Sequence, residues 1–283
     1  MIKQTFLHLS GIGEKTESNY WNRGINNWDD LENSLSSSVI SKNSPILKNQ
    51  IALSRKSFEK TEVSYFSKRL PVNQQWRLFA DFNHAAAYLD IETTGLGNYE
   101  DHVTTISLYD GKKLSYYVWG DNLEQFVEDI RDYSLLITYN GKCFDLPFLE
   151  RQFRIKLDQA HLDLRFVLAR LGYKGGLKGC ERQLGIDRGD LEGVDGFMAV
   201  LLWREYQRSG NVQALETLLS YNMEDTINLE RLAFLSYNQF IAFTPFREEQ
   251  LPLPANITDI PFKPTREIIE RLQYGLRRNG YAG

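Results

Sequence analysis

The feature that most constrains the fold is an apolar run, Ala85–Leu89, that stops at Asp90-Ile91-Glu92-Thr93-Thr94-Gly95. A short run of this kind, closed by a glycine turn, reads as a buried strand. Residues two apart on a strand point to one face, so Asp90 and Glu92 stand side by side at its end. Two such carboxylates repel, and a hard divalent cation is the simplest partner that keeps both ionised. By itself the pair is also compatible with a plain solvent-facing strand end.

The segments that follow define the fold class. Val103–Tyr109 and Leu114–Trp119 are β-rich and flank Asp110-Gly111-Lys112-Lys113, a hairpin signal. Asn122–Arg131 has a helical pattern, Ser134–Tyr139 reads as a buried strand, and from Leu146 onward most of the chain is helical, with a loop at Lys174–Gly179. Strand, hairpin, helix, strand and then helices predict an α/β fold: a mixed β-sheet flanked by helices. Residues 1–45 form a small N-terminal element whose Ser/Asn-rich stretch 34–45 is a linker. Residues 46–82 are a helical connector, 83–240 the main domain, and 241–283 a proline-containing C-terminal tail.

Composition narrows the classes. The chain has 283 residues, 42% hydrophobic and 25% charged, with a net charge of −4. That suits one large globular domain with smaller attachments and disfavours disorder, collagen and coiled coil. No apolar run approaches the ~18–20 residues of a membrane span, and MIKQTFLHLSGIGEKTE lacks the apolar core of a secretory signal. Two cysteines, Cys143 and Cys180, cannot build a disulfide scaffold or a four-cysteine zinc site, so a reducing, cytoplasmic setting without membrane association is expected. Mild acidity argues against a polycationic nucleic-acid coat but leaves room for an enzyme steered by local basic patches.

Two further motifs stand with the acidic pair. The strand Leu135–Tyr139 runs into Asn140-Gly141-Lys142-Cys143-Phe144-Asp145, in which Asp145 reads equally as a helix cap or first-turn charge. Later, Tyr221 and Asp225 lie at i and i+4 on one face of a strongly helical segment. A strand ending in Asp-Ile-Glu-Thr-Thr-Gly, a second ending in Asn-Gly-x-x-Phe-Asp, and a late helix with Tyr-x-x-x-Asp occur in that order over residues 83–240. The set resembles the proofreading-type 3′–5′ exonucleases of the ribonuclease H-like superfamily, in their tyrosine-containing (DEDDy) class. The whole chain looks most similar to the bacterial YprB-like branch.

The resemblance implies a ribonuclease H-like fold and four metal-binding carboxylates, Asp90, Glu92, Asp145 and Asp225, with Tyr221 orienting the attacking water. The implied cofactors are two divalent ions, Mg²⁺ or Mn²⁺. The implied partner is nucleic acid, single-stranded DNA or a frayed 3′ end, with RNA open; protein partners are not indicated. The chemistry agrees with the residue types. A phosphodiester gains charge on attack, and a two-metal site can both lower the pKa of water and stabilise the leaving oxygen. A tyrosine titrating near 10 is an orienter rather than a base.

Neighbouring residues extend the set. In the resembled family the Thr93–Leu96 turn meets the terminal nucleotide, with Leu96 against the base and Thr93 near the 3′-hydroxyl. Asn140 and Phe144 are placed to contact substrate, though Phe144 is equally a core residue. Lys178, in the glycine-rich loop, either binds phosphate or belongs to a simple helix connector. Asp163 reads as a helix cap or a supporting acid, and His161 as non-catalytic. Leu9-Ser10-Gly11-Ile12-Gly13 resembles the turn of a helix-hairpin-helix element, or else a docked N-terminal cap. Two rivals stay open: a catalytically silent nucleic-acid-binding or scaffold protein on the same fold, and an endonuclease. No Gly-x-Ser-x-Gly elbow supports a metal-free hydrolase.

Overall fold

A computed structural model describes residues 1–36, 44–191, 193–255 and 259–278. Most of the 34–45 linker therefore lies outside the described residues. The N-terminal part contains α1 (Glu14–Asn22), α2 (Trp28–Ser36), α3 (Ser44–Glu59), α4 (Val63–Ser67) and α5 (Phe79–Phe82). Beyond Pro71 the backbone tightens into a 3₁₀ stretch, Val72–Leu78. The 3₁₀ turn Ile2–Gln4 and the Leu9–Gly13 turn lead into α1.

The sheet comprises β1 (Ala86–Thr93), β2 (Val103–Tyr109), β3 (Leu114–Val118), β4 (Leu135–Thr138) and β5 (Ala160–Asp163), in the order β3-β2-β1-β4-β5. β1 is antiparallel to β2 and parallel to β4, and β5 continues the parallel half. The mixed sheet with helices on its faces is the arrangement the element order predicts. The hairpin closes as expected, with Tyr109 opposite Leu114 and Gly111 at φ +88°.

Three sequence expectations differ in detail. Asn122–Arg131 contains only α6 (Phe126–Asp129) between two 3₁₀ turns. β5 is an edge strand of four residues, too short for a period-2 pattern to reveal. The predicted loop Lys174–Gly179 turns helical at Gly176, because Gly175 takes the left-handed conformation (φ +94°) that starts the next helix early. The remaining helices are α7 (Asp145–Phe153), α8 (Leu164–Arg170), α9 (Gly176–Gln183), α10 (Gly196–Ser209), α11 (Val212–Ile241) and α12 (Arg266–Arg278).

Strand parity divides the core. Ala87, Leu89 and Ile91 point to one face, where they pack with Phe126, Phe148 and Leu149 of α6 and α7. Ala86 and Tyr88 point to the other, into a core shared by α11 (Leu229, Leu232, Tyr237) and the N-terminal residues Phe6, Trp28 and Phe66. The N-terminal element thus docks on the same core as the sheet. A buried pair reinforces it: Arg77 meets Glu17 at 2.8 Å, and Glu17 also accepts from the Thr5 hydroxyl and the Phe6 N–H. A third core joins α10, α11 and α12 through Trp203, Leu218 and Ile268.

Candidate active site

Asp90 and Glu92 have the parity of Ala86 and Tyr88, so both face α11 at the carboxyl end of β1. A register shift between Glu92 and Thr93 makes Thr104 of β2 the extra residue of a bulge at this point. Such bulges re-aim side chains where a strand ends. Tyr221 and Asp225 lie one turn apart on α11 and are both buried. One carboxylate oxygen from each of Asp90, Glu92 and Asp225 falls within a group no more than 4.8 Å across. Asp145 opens α7 on the other layer of the sheet and stands outside that group, yet its charge reaches both Asp90 and Glu92. The four carboxylates and Tyr221 are brought to one centre from β1, α7 and α11.

The electrostatics are those of an acid cluster short of positive charge. Burial pushes Asp90 well above the usual carboxylate range, and Asp225, Asp145 and Glu92 push it further. Glu92 is raised the same way, with Lys178 and Arg188 pulling against it. Burial lifts Asp145 to about 7, while the backbone N–H groups of Asp145 and Ile91 pull it back. Tyr221 is raised by burial and by Asp225, Glu92 and Asp90, so its phenol stays protonated and can donate. All four acids are hard oxygen donors, and their mutual repulsion is what one or two hard divalent cations would relieve. The donor set fits such ions.

Three contacts complete this centre, two of them made by residues that no sequence motif marks, Asn222 and Arg188. Asn222, next to Tyr221, donates to Asp90 Oδ2 at 2.7 Å and accepts from the Thr105 hydroxyl of β2 at 3.1 Å. This bridge between β2, α11 and β1 fixes the Asp90 carboxylate. Arg188, between α9 and α10, pairs with Asp225 and with Glu181 of α9, which also accepts from Asn228 of α11. Burial works against the Arg188 charge, but Asp225 and Glu181 more than offset it. Lys178 sits on the first turn of α9 with Nζ 4.7 Å from the Tyr221 ring centroid. That Nζ is buried without a hydrogen-bond partner among the described residues. Burial lowers its pKa, and Asp225 resists the change.

The flanking residues build the approach to the centre. Thr93 is buried, and its hydroxyl donates to the Gly95 carbonyl. Asp101 accepts the N–H groups of Gly97 and Asn98, and a Cβ at position 95 would come within 2.5 Å of its carboxylate. A side chain there would displace the Asp101 carboxylate that holds the turn, and the turn leaves Leu96 91% exposed. Asn140 takes the left-handed conformation (φ +68°); its N–H donates to Asp163 and its side-chain oxygen accepts from Arg165. Phe144 is half-buried, 5.0 Å from Phe148, and also lines the cleft, so packing and contact with the cleft coexist. Asp163 caps α8 and accepts from Asn140 and Lys142, the structural alternative of its two readings. His161 bonds to Thr138, and burial lowers it to about 4, so it is neutral at physiological pH.

Thr93, Leu96, Asn140 and Phe144 line a cleft of about 990 Å³ with Asp90, Glu92, Asp145, Asp225 and Tyr221; Lys178 lies behind the Tyr221 ring. The cleft opens at the carboxyl ends of the parallel strands, where ligands bind in open α/β sheets.

Comparison with known proteins places these residues in a family. A model of the RNase H superfamily matches residues 87–236. The uncharacterized protein YprB of Bacillus subtilis (strain 168) is 28% identical over 171 residues, which is 50% of this chain and 39% of that protein. The chain thus spans well under half the length of this relative. Among solved structures, the family B DNA polymerase from the hyperthermophilic archaeon Pyrobaculum calidifontis is 14% identical, with a TM-score of 0.42 over 58% of this chain and 26% of that one.

Proposed function

The chain belongs to the RNase H superfamily, and from that premise we propose that it is a metal-dependent 3′–5′ exonuclease acting on single-stranded or frayed nucleic-acid ends. The observation that carries the reading is the convergence of Asp90, Glu92, Asp145, Asp225 and Tyr221, from three separate sequence motifs, at one end of the cleft. Asp90, Glu92, Asp145 and Asp225 would hold two divalent ions, Mg²⁺ or Mn²⁺. Bound there, the ions supply an acidified water and neutralise charge on the leaving oxygen. Asn222 holds the Asp90 carboxylate in place by donating to its Oδ2. Tyr221, kept as a neutral phenol, orients the attacking water through its hydroxyl and does not act as the base. Lys178, buried behind that ring, supplies positive charge to the acid cluster through Glu92 and Asp225. Leu96 and Phe144 present apolar surface to the terminal base, and Thr93 and Asn140 present polar groups to the sugar and phosphate.

The test is the product ladder from 5′-labelled single-stranded DNA, matched RNA and duplex DNA, in Mg²⁺, Mn²⁺ or chelator, beside Asp90→Ala and Asp225→Ala. Stepwise shortening from the 3′ end that needs metal and both aspartates is the expected result. Near-normal turnover in either variant would overturn the carboxylate assignment. A second reading draws on the Arg188–Asp225 pair, which places a protein cation on one of the four acids. In that reading the fold binds nucleic acid without cutting it, and binding without any ladder would favour it.

A further inference from the structure

The cleft extends well beyond the carboxylates. Its far wall is made by α8, the Lys174–Leu177 segment and one face of α10. Phe197, Val200 and Arg204 recur at helical spacing on that face, while Met198, Ala199, Leu202 and Trp203 turn into the core. Phe197 is 48% exposed, at the first turn of a helix whose other large apolar side chains are buried or half-buried. Asp195 already caps that helix by accepting the Met198 N–H, so an anion is not drawn to the N-terminus itself. Three cations, Arg165, Lys174 and Arg204, line the cleft, and none makes an ion pair among the described residues. In a chain of net charge −4, three cations without a counter-ion beside an exposed aromatic describe a surface for a polyanion that carries rings.

Resting on the exonuclease reading, we propose that Phe197, Arg204 and Lys174 form a second nucleotide station. The base of the nucleotide upstream of the scissile bond stacks on Phe197, and its backbone phosphates are held by Arg204 and Lys174. Phe197 and Arg204 are separated by about 10 Å along α10, enough to place a ring at one end and a phosphate at the other. Arg165, tied to Asn140, joins this station to the terminal one. The occupant is a single strand, since every base offers a face for stacking and no base-pair edge is read.

The test is fluorescence anisotropy of 5′-labelled dT₄ and U₄ on the full chain in Ca²⁺, over a range of salt, with the mononucleotide as competitor. If three cations are engaged, log Kd against log salt has a slope of about 2, and Arg204→Ala and Lys174→Ala each lower it by about 0.7. Phe197→Ala weakens the tetranucleotide about five- to a hundredfold while leaving the salt slope alone. All three side chains are exposed, and melting temperatures check that the variants fold. In each variant the preference for tetranucleotide over mononucleotide falls. Comparison of dT₄ with U₄ shows which sugar the station accepts. Tetranucleotide affinity and salt slope unchanged in Arg204→Ala and Phe197→Ala would overturn the station and leave the exonuclease reading standing. A wild-type chain that binds neither oligonucleotide at any salt would overturn both.

Discussion

Without metal, the protein should lose stability as pH rises, and Asp145 should be a main cause. Burial lifts its carboxyl to about 7 from an ordinary 3.8. In the unfolded chain the group titrates near 3.9. Between about pH 4 and 7 the folded state therefore keeps a proton that the unfolded state has released. Stability falls with pH across that window and stays low above it. A gap of about three pKa units, at 1.36 kcal/mol each, corresponds to a loss on the order of 4 kcal/mol. Asp90 and Glu92, also raised by burial and by neighbouring acids, act in the same sense. Divalent cations need the carboxylates ionised, so Mn²⁺ should raise stability more at pH 8 than at pH 5. Asp145→Asn removes the charge at nearly constant volume. The assay is calorimetric melting of wild type and Asp145→Asn in chelator at pH 5 and pH 8. At roughly 2 °C per kcal/mol for a chain of this size, the variant should melt several degrees above wild type at pH 8 and show a smaller pH dependence. A variant that melts below wild type at pH 8, or a wild type no less stable at pH 8 than at pH 5, would refute the reasoning.

Other expectations concern the supporting residues. Asn222→Ala frees the Asp90 carboxylate and should weaken Mn²⁺ affinity about 10–100-fold, read by calorimetric titration without any substrate. If Tyr221 orients the attacking water as proposed, Tyr221→Phe should slow turnover about tenfold or more at unchanged Mn²⁺ affinity. Arg77→Ala strands the Glu17 carboxylate, 1% exposed, and should cost about 3–5 kcal/mol in urea unfolding, because the N-terminal element shares the sheet's core.

The sequence by itself determined what periodicity and local chemistry can specify. The parity of Asp90 and Glu92, the Asp110-Gly111 hairpin, the i,i+4 pairing of Tyr221 with Asp225 and the mixed sheet with helices all follow from spacings within one element. These patterns repeat every two or 3.6 residues and need no partner to be read. Only the tertiary structure decided what each side chain meets. Asn222 reaches Asp90 across 132 residues and Thr105 across 117, and Arg188 reaches Asp225 across 37, none of them marked by a motif. Lys178 reads as a loop lysine until Gly175 starts α9 early and turns the ammonium over the Tyr221 ring. Asp145 shares a motif set with the other acids but arrives from the opposite layer, outside their 4.8 Å group. The physical reason is that contact depends on how α11 lies across β1 and β2, and packing of buried faces, rather than any local spacing, sets that placement.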